Sequence, residues 1–147
     1  MNNIQKLIFL LVHIHLSLLS VQANEFYRDD VKDTVIDKKR NVMWQDDISV
    51  IDIEKTYKDA QEYCENLDFS GYTDWYLPDV SELKSIVKAD NYPRAIFKTF
   101  NNVASDYYWS SSEHGSDYAW IVLFIYEDVV YYHKTDTNNV RCIRKIQ

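Results

Sequence analysis

Glycine and proline are almost missing from this sequence, with two of each in 147 residues, and there is no low-complexity tract or Pro/Gly/Ser-rich linker. Such sparse punctuation excludes a string of loosely tethered modules and argues for one compact unit. Cysteine is equally scarce: Cys64 and Cys142 stand alone, with no CxxC pair to suggest a zinc ribbon or a thioredoxin-like redox motif. No Gly-x-Ser-x-Gly elbow surrounds Ser110, Ser111 or Ser112, so a serine nucleophile has no local support. Positive charge is in deficit as well. The formal net charge is −7, and the basic spots Lys38-Lys39-Arg40 and Arg141 to Lys145 do not reverse it. Nucleic acid and anionic membrane surfaces both require a basic face, and neither is an expected partner.

One long apolar run is present, Leu7 to Ser20, preceded by Lys6 and followed by Val21-Gln22-Ala23. A positive start, an apolar centre and small residues at the exit describe an export signal, with cleavage expected after Ala23. The run is shorter than the roughly 20 residues that cross a bilayer, so no stable membrane span is expected after cleavage. No cysteine follows it to carry a lipid. Residues 24–147 are then a single domain, exported to the periplasm or the cell surface. In an exported chain an even cysteine count favours a disulfide, and two cysteines allow one intrachain pairing. A loop of about 80 residues closed that way contributes on the order of 4 kcal/mol by loop entropy.

Spacing gives the elements. Thr34 to Asp37 and Val42 to Gln45 flank a polar turn and read as a hairpin. Tyr57, Ala60, Cys64 and Leu67 recur at three and four residues, which places them on one face of a helix ending before Gly71. Asp79 and Glu82 have capping-box spacing ahead of a shorter helix carrying Val80, Leu83, Ile86 and Val87, stopped by Tyr92-Pro93-Arg94. The last third is aromatic and β-branched: Tyr107 to Ser111, Tyr118 to Tyr126, Val129 to Lys134 and Asn139 to Ile146. Glu127-Asp128 suits a tight turn, and Tyr118 to Tyr126, apolar on both faces, suits a central strand. The fold class is α+β, with two helices packed to one side of a mostly antiparallel twisted sheet.

Five ordered motifs carry a family resemblance: Val42-Met43-Trp44-Gln45; Ala60 with Tyr63-Cys64; Gly71-Tyr72-Thr73-Asp74-Trp75-Tyr76-Leu77-Pro78 with Glu82-Leu83; Tyr108-Trp109-Ser110-Ser111; and Val140-Arg141-Cys142-Ile143-Arg144. Together they resemble the domain found at the C-terminus of the Legionella collagen-like adhesin, from about Phe26 to Arg144. The resemblance implies a C-type-lectin-like or sulfatase-modifying-factor-like fold, a Cys64–Cys142 bridge, and glycan binding at a cell surface. The sequence departs from the family in having Tyr76 where an arginine is usual, in lacking a glycine around Ile125 to Asp128, and in holding no collagen repeat.

The motif around Asp74, Trp75, Pro78 and Glu82 is read as a structural corner. Asp74 would accept backbone N–H bonds, Trp75 and Leu77 would fill the core, and Asp79 and Glu82 would cap a helix. The competing reading, an acid/base or cation site built on these carboxylates, lacks a defined cleft. Asp117 and Asp136 offer oxygens but no calcium-loop spacing, and His114 and His133 lack a second ligand at zinc spacing. No cofactor, metal or catalytic residue is expected. The aromatics exceed what a small core needs, and Trp109, Tyr118, Tyr131 and Tyr132 are the candidate ligand contacts, since tyrosine and tryptophan suit both sugar stacking and interfaces. The expected function is a non-catalytic, adhesin-like module for a glycan or an envelope protein. An envelope assembly subunit is the alternative, and a carboxylate hydrolase a more distant third.

Overall fold

A computed structural model of the chain describes residues 25–91, 96–104, 106–126 and 128–147. The export signal, its cleavage point and the Tyr92-Pro93-Arg94 stop lie outside the described residues. Three consecutive strands, β1 (Phe26–Asp29), β2 (Thr34–Asp37) and β3 (Val42–Gln45), form an antiparallel meander. The β2–β3 turn closes on Asp37, whose Oδ1 accepts the backbone N–H groups of Lys39 and Arg40. This is the turn chemistry expected of aspartate. A single-turn helix α1 (Ser49–Asp52) and the short β4 (Glu54–Lys55) lead into α2 (Tyr57–Glu65), which Thr56 caps by accepting the Asp59 N–H. Tyr57, Ala60 and Cys64 are its buried face.

α3 (Val80–Lys84) begins with a complete capping box: Asp79 accepts the Glu82 N–H while the Glu82 carboxylate accepts the Asp79 N–H. It stops earlier than the apolar spacing suggests. Ile86 and Val87 lie beyond its end, Ile86 buried and Val87 bridged to Ile96. β5 (Tyr107–His114), β6 (Tyr118–Leu123) and β7 (Asp128–His133) make a second meander, with β6 central. The turn after β6 falls at residues 124–126, and Asp128 already belongs to β7.

The strand order brings two corrections. Among the described residues there are two sheets, β1-β2-β3-β9 and β4-β8-β5-β6-β7, because the predicted last strand divides into β8 (Asn138–Asn139) and β9 (Ile143–Lys145), which pair in different sheets. The single parallel pairing is β5 with β8. The helices also do not share one side. Strand alternation sends Val122 of β6 into a cluster with Leu83 of α3 and Ile86, and sends Ala119 and Ile121 into a cluster with Ala60 and Cys64 of α2. Side chains of successive residues leave opposite faces of a sheet, so the two helices cover opposite faces.

Between β8 and β9, Val140 to Cys142 carry the chain from one sheet to the other. Cys142 is bonded to Cys64 across 78 positions of sequence, and both are fully buried. Arg141, equally buried, donates from Nη1 to Asp46 Oδ1 at 2.9 Å and to the Gln45 carbonyl at 2.8 Å, and from Nη2 to the Asn102 carbonyl. Its guanidinium lies over Phe100 and Tyr108. Arg28 donates to the other carboxylate oxygen of Asp46, which also accepts the Asn101 N–H.

Reduction of Cys64–Cys142 removes a constraint of about 4 kcal/mol, so melting followed by circular dichroism should shift down by many degrees under reductant. An unchanged melt, or two free thiols by mass spectrometry, would refute the bridge. Asp46→Asn leaves Arg141 buried without its counter-charge and should cost about 3–5 kcal/mol in urea unfolding. A loss below about 1 kcal/mol would show the pair to be dispensable.

Candidate functional site

The two expected roles of the Gly71 to Glu82 motif separate in space. Ser70 and Gly71 have φ of 58° and 82°, and Phe69 and Tyr72 exchange both backbone hydrogen bonds, which is the geometry of a tight type I′ turn. Trp75 is buried and its Nε1 donates to the Phe69 and Tyr72 carbonyls, while Leu77 is buried beside it. Tyr76 pairs its backbone in both directions with Ile143 of β9, and its hydroxyl donates to Glu82 Oε1. Burial, then that hydrogen bond, pushes the Tyr76 hydroxyl well above its usual range. Pro78 offers its carbonyl to the Ser111 N–H. The corner is therefore structural, with one correction. The main partner of Asp74 is not the backbone, of which it takes its own N–H; it stands half-exposed and receives the Arg144 guanidinium, Nε at 2.6 Å and Nη2 at 3.0 Å.

The serines are likewise spent on structure. β5 is irregular between Trp109 and Glu113, where it holds more residues than β6 opposite. At that bulge Ser110 Oγ donates to the Trp120 carbonyl, the Tyr57 hydroxyl donates to the Ser111 carbonyl, and Ser112 Oγ accepts the Val80 N–H. Bulges re-aim the residues beyond them. The first ring beyond this one is His114.

His114 opposes Tyr118, Tyr118 opposes His133, and Trp120 opposes Tyr131. Directly opposed residues of an antiparallel ladder share a face, and the two-residue period keeps the set on one side of the sheet. Five rings meet there. His114 stacks on Tyr131 at 4.2 Å with 20° between planes, and Trp120 meets Tyr131 edge-on at 5.6 Å and 89°. Tyr118 stands edge-on to Tyr131 at 5.5 Å and to His133 at 5.3 Å. His114, Tyr118, Tyr131 and His133 are exposed and Trp120 is half-buried. This is a continuous ring surface at the sheet end away from α3.

Of the four predicted contacts, Tyr118 (41% exposed) and Tyr131 (48%) belong to this platform. Tyr132 is also exposed, yet alternation puts it on the opposite face, edge-on to Tyr107 at 5.1 Å. A hydrogen bond between these two phenols raises the Tyr107 hydroxyl above its ordinary range. Trp109 is corrected outright. It is fully buried, packed edge-on to Tyr57, with its indole N–H given to the Lys55 carbonyl, and has no surface to offer a ligand. Sequence reasoning missed Trp120, His114 and His133 as members of the set. The i, i+2 pairs Tyr118/Trp120 and Tyr131/His133 were the available signal; the pairing register that aligns them was not.

Among the described residues no group of three or more His, Cys, Asp or Glu side chains is placed to hold a metal ion. No helix among them is long and apolar enough to cross a membrane. The profile of the Lcl C-terminal domain family matches residues 33–144, and the chain belongs to that family. A search of curated proteins finds no match.

Core and platform should respond oppositely to truncation. Trp109→Ala is expected to cost about 3–5 kcal/mol in urea unfolding, as large buried aromatics do. Tyr131→Ala, which removes only an exposed ring from cross-strand contacts, should cost about 1 kcal/mol or less. Equal losses would contradict the division.

Proposed function

We propose that this is an exported, non-catalytic binding module, adhesin-like, that holds a glycan through the ring platform of His114, Tyr118, Trp120, Tyr131 and His133. The observation that carries the reading is the exposure of five contiguous rings on a sheet face whose other end is covered by α3. Leaving such rings in water forgoes the stabilisation that burial gives. The C–H groups on one side of a pyranose carry partial positive charge and meet the negative ring face favourably. A flat row of rings suits a run of sugar units better than a single small molecule.

Family membership supports a surface-binding role, and the buried disulfide fits an oxidising compartment outside the cytoplasm. A C-type-lectin-like core, with a disulfide tying a helix to a late strand, is the architecture this reading assumes. Absence of catalysis rests on the carboxylates of the central motif: Asp79 and Glu82 are engaged in the helix cap and Asp74 with Arg144, leaving no pair among these three aimed into one cleft. A second reading, attachment to an envelope protein, is favoured by β7, the outermost strand of its sheet, which shows Val130, Tyr131 and Tyr132 to solvent. Edge strands of that composition are templates for pairing with another strand.

Binding of the oxidised protein to a polysaccharide array, with and without calcium, should be specific and resistant to added salt. Trp120→Ala and Tyr131→Ala should each weaken it at least tenfold, Tyr131→Ala with little change in melting temperature. Array silence combined with concentration-dependent association in sedimentation would replace the glycan with a protein partner. Full binding by both variants would remove the platform from the function.

A further inference from the structure

A concave feature lies away from the platform, where the type I′ turn meets the end of β9. Gly71, Tyr72, Thr73, Asp74, Arg144 and Ile146 are among the residues lining a cavity of about 460 Å³. Small-molecule sites commonly occupy about 300–1,000 Å³ and combine an apolar wall with a few fixed polar groups. Here the wall is the Tyr72 ring, with the Arg144 guanidinium 3.8 Å from its centroid. The polar groups are Arg144 and Asp74.

Their arrangement is specific. The Arg144 side chain is 6% exposed, lies over the Tyr72 ring and is gripped through Nε and Nη2 by both oxygens of Asp74. Its Nη1 has no protein partner among the described residues, and Asp74 is 47% exposed. Each carboxylate oxygen has lone-pair capacity beyond the one bond it accepts from arginine. The pair thus presents a fixed donor beside a fixed acceptor. Hydrogen bonds to Arg144, with the attraction of its charge, hold the Asp74 carboxyl below the usual range, so the acceptor stays ionised near neutral pH. The two charges cancel within the pair, which removes the pull on an anion that a lone arginine would exert. Lys32 stands 5.5 Å from the Tyr72 centroid but does not line the cavity.

We infer that this cavity is a second ligand site, and that it takes a neutral vicinal diol, as on an uncharged sugar. One hydroxyl accepts from Arg144 Nη1, its neighbour donates to the Asp74 carboxylate, and the turn from Gly71 to Thr73 borders the ring. The site does not depend on the aromatic platform. It gives the family's Gly-Tyr-Thr-Asp stretch a recognition role in addition to its corner.

The test is a titration of isotope-labelled, oxidised protein with methyl α-mannoside, methyl β-galactoside and methyl β-glucoside, followed by NMR. Saturable shifts are expected at the Gly71 to Asp74 amides and at the Arg144 Nε–H, in the millimolar range, with at least one glycoside. The unsubstituted protein supplies this readout, so it does not rely on any variant folding. Asp74→Asn should weaken the affinity about tenfold, the loss of one hydrogen bond to a charged group. Tyr131→Ala should leave these shifts intact, which separates this site from the platform. The inference is overturned by the absence of saturable shifts with all three glycosides, by unchanged affinity in Asp74→Asn, or by glucuronate moving the same resonances more strongly than the neutral sugars.

Discussion

Everything in this fold depends on how one short segment crosses from one sheet to the other. At Val140 to Cys142 the chain leaves β8 and enters β9, and within three residues it is fixed to two distant places: Arg141 to Asp46 and Cys142 to Cys64. Asp46 directly follows β3, so the ion pair anchors the first sheet and the bridge anchors α2. A charge pair with both members fully buried carries a heavy desolvation cost and is kept only when the remaining donors and acceptors are used. Asp46 meets that condition with Arg28, Arg141 and the backbone of Asn101 and Asn102. Arg141 uses Nη1 and Nη2 on two backbone carbonyls and the carboxylate and lies over two aromatic faces, while its buried Nε has no hydrogen-bond partner. A hydrophobic pair of equal volume would bury as well, but it would not hold the residue 100–104 passage to the crossover through directed bonds.

That anchoring sets what the second sheet can do. With β8 fixed beside β5 and β4, the β5-β6-β7 meander extends outward with β7 as a free edge. α3 covers the end of one face near Tyr108 and Val122, and the bulge at Ser110 to Ser112 locks β5 to the same corner through Pro78 and Val80. Beyond the bulge no described helix covers that face, and the sequence supplies rings there instead of the polar residues that normally alternate outward. The rings brace one another, which lowers the entropy a ligand would have to remove on docking.

Much of this was legible from local pattern. Three-and-four spacing placed Cys64 toward the core, the Asp79/Glu82 spacing gave a capping box, and two β-branched runs around a polar turn gave the β2–β3 hairpin. Each of these is decided by neighbours in sequence. What was not legible is decided by partners far away. Asn139 to Ile146 reads as one strand because nothing local marks the change of sheet at Arg141. Trp109 and Tyr131 are equally amphipathic, yet one is core and the other surface, because the parity of a residue depends on register and on where a bulge falls. Asp74 looked like a backbone acceptor because the arginine that claims it is 70 positions away.

The same contrast explains why the conspicuous polar motif and the conspicuous aromatics play different parts. Carboxylates in a turn-rich stretch suggest chemistry, but a carboxylate in a helix cap is oriented by the backbone N–H it accepts. Asp79 and Glu82 are bound in this way, and Glu82 also accepts the Tyr76 hydroxyl. Asp74 keeps acceptor capacity in the open, and it keeps it next to a guanidinium held over Tyr72. A preorganised donor beside a preorganised acceptor has the geometry to meet two hydroxyls at fixed spacing, which is the basis of the second site inferred above.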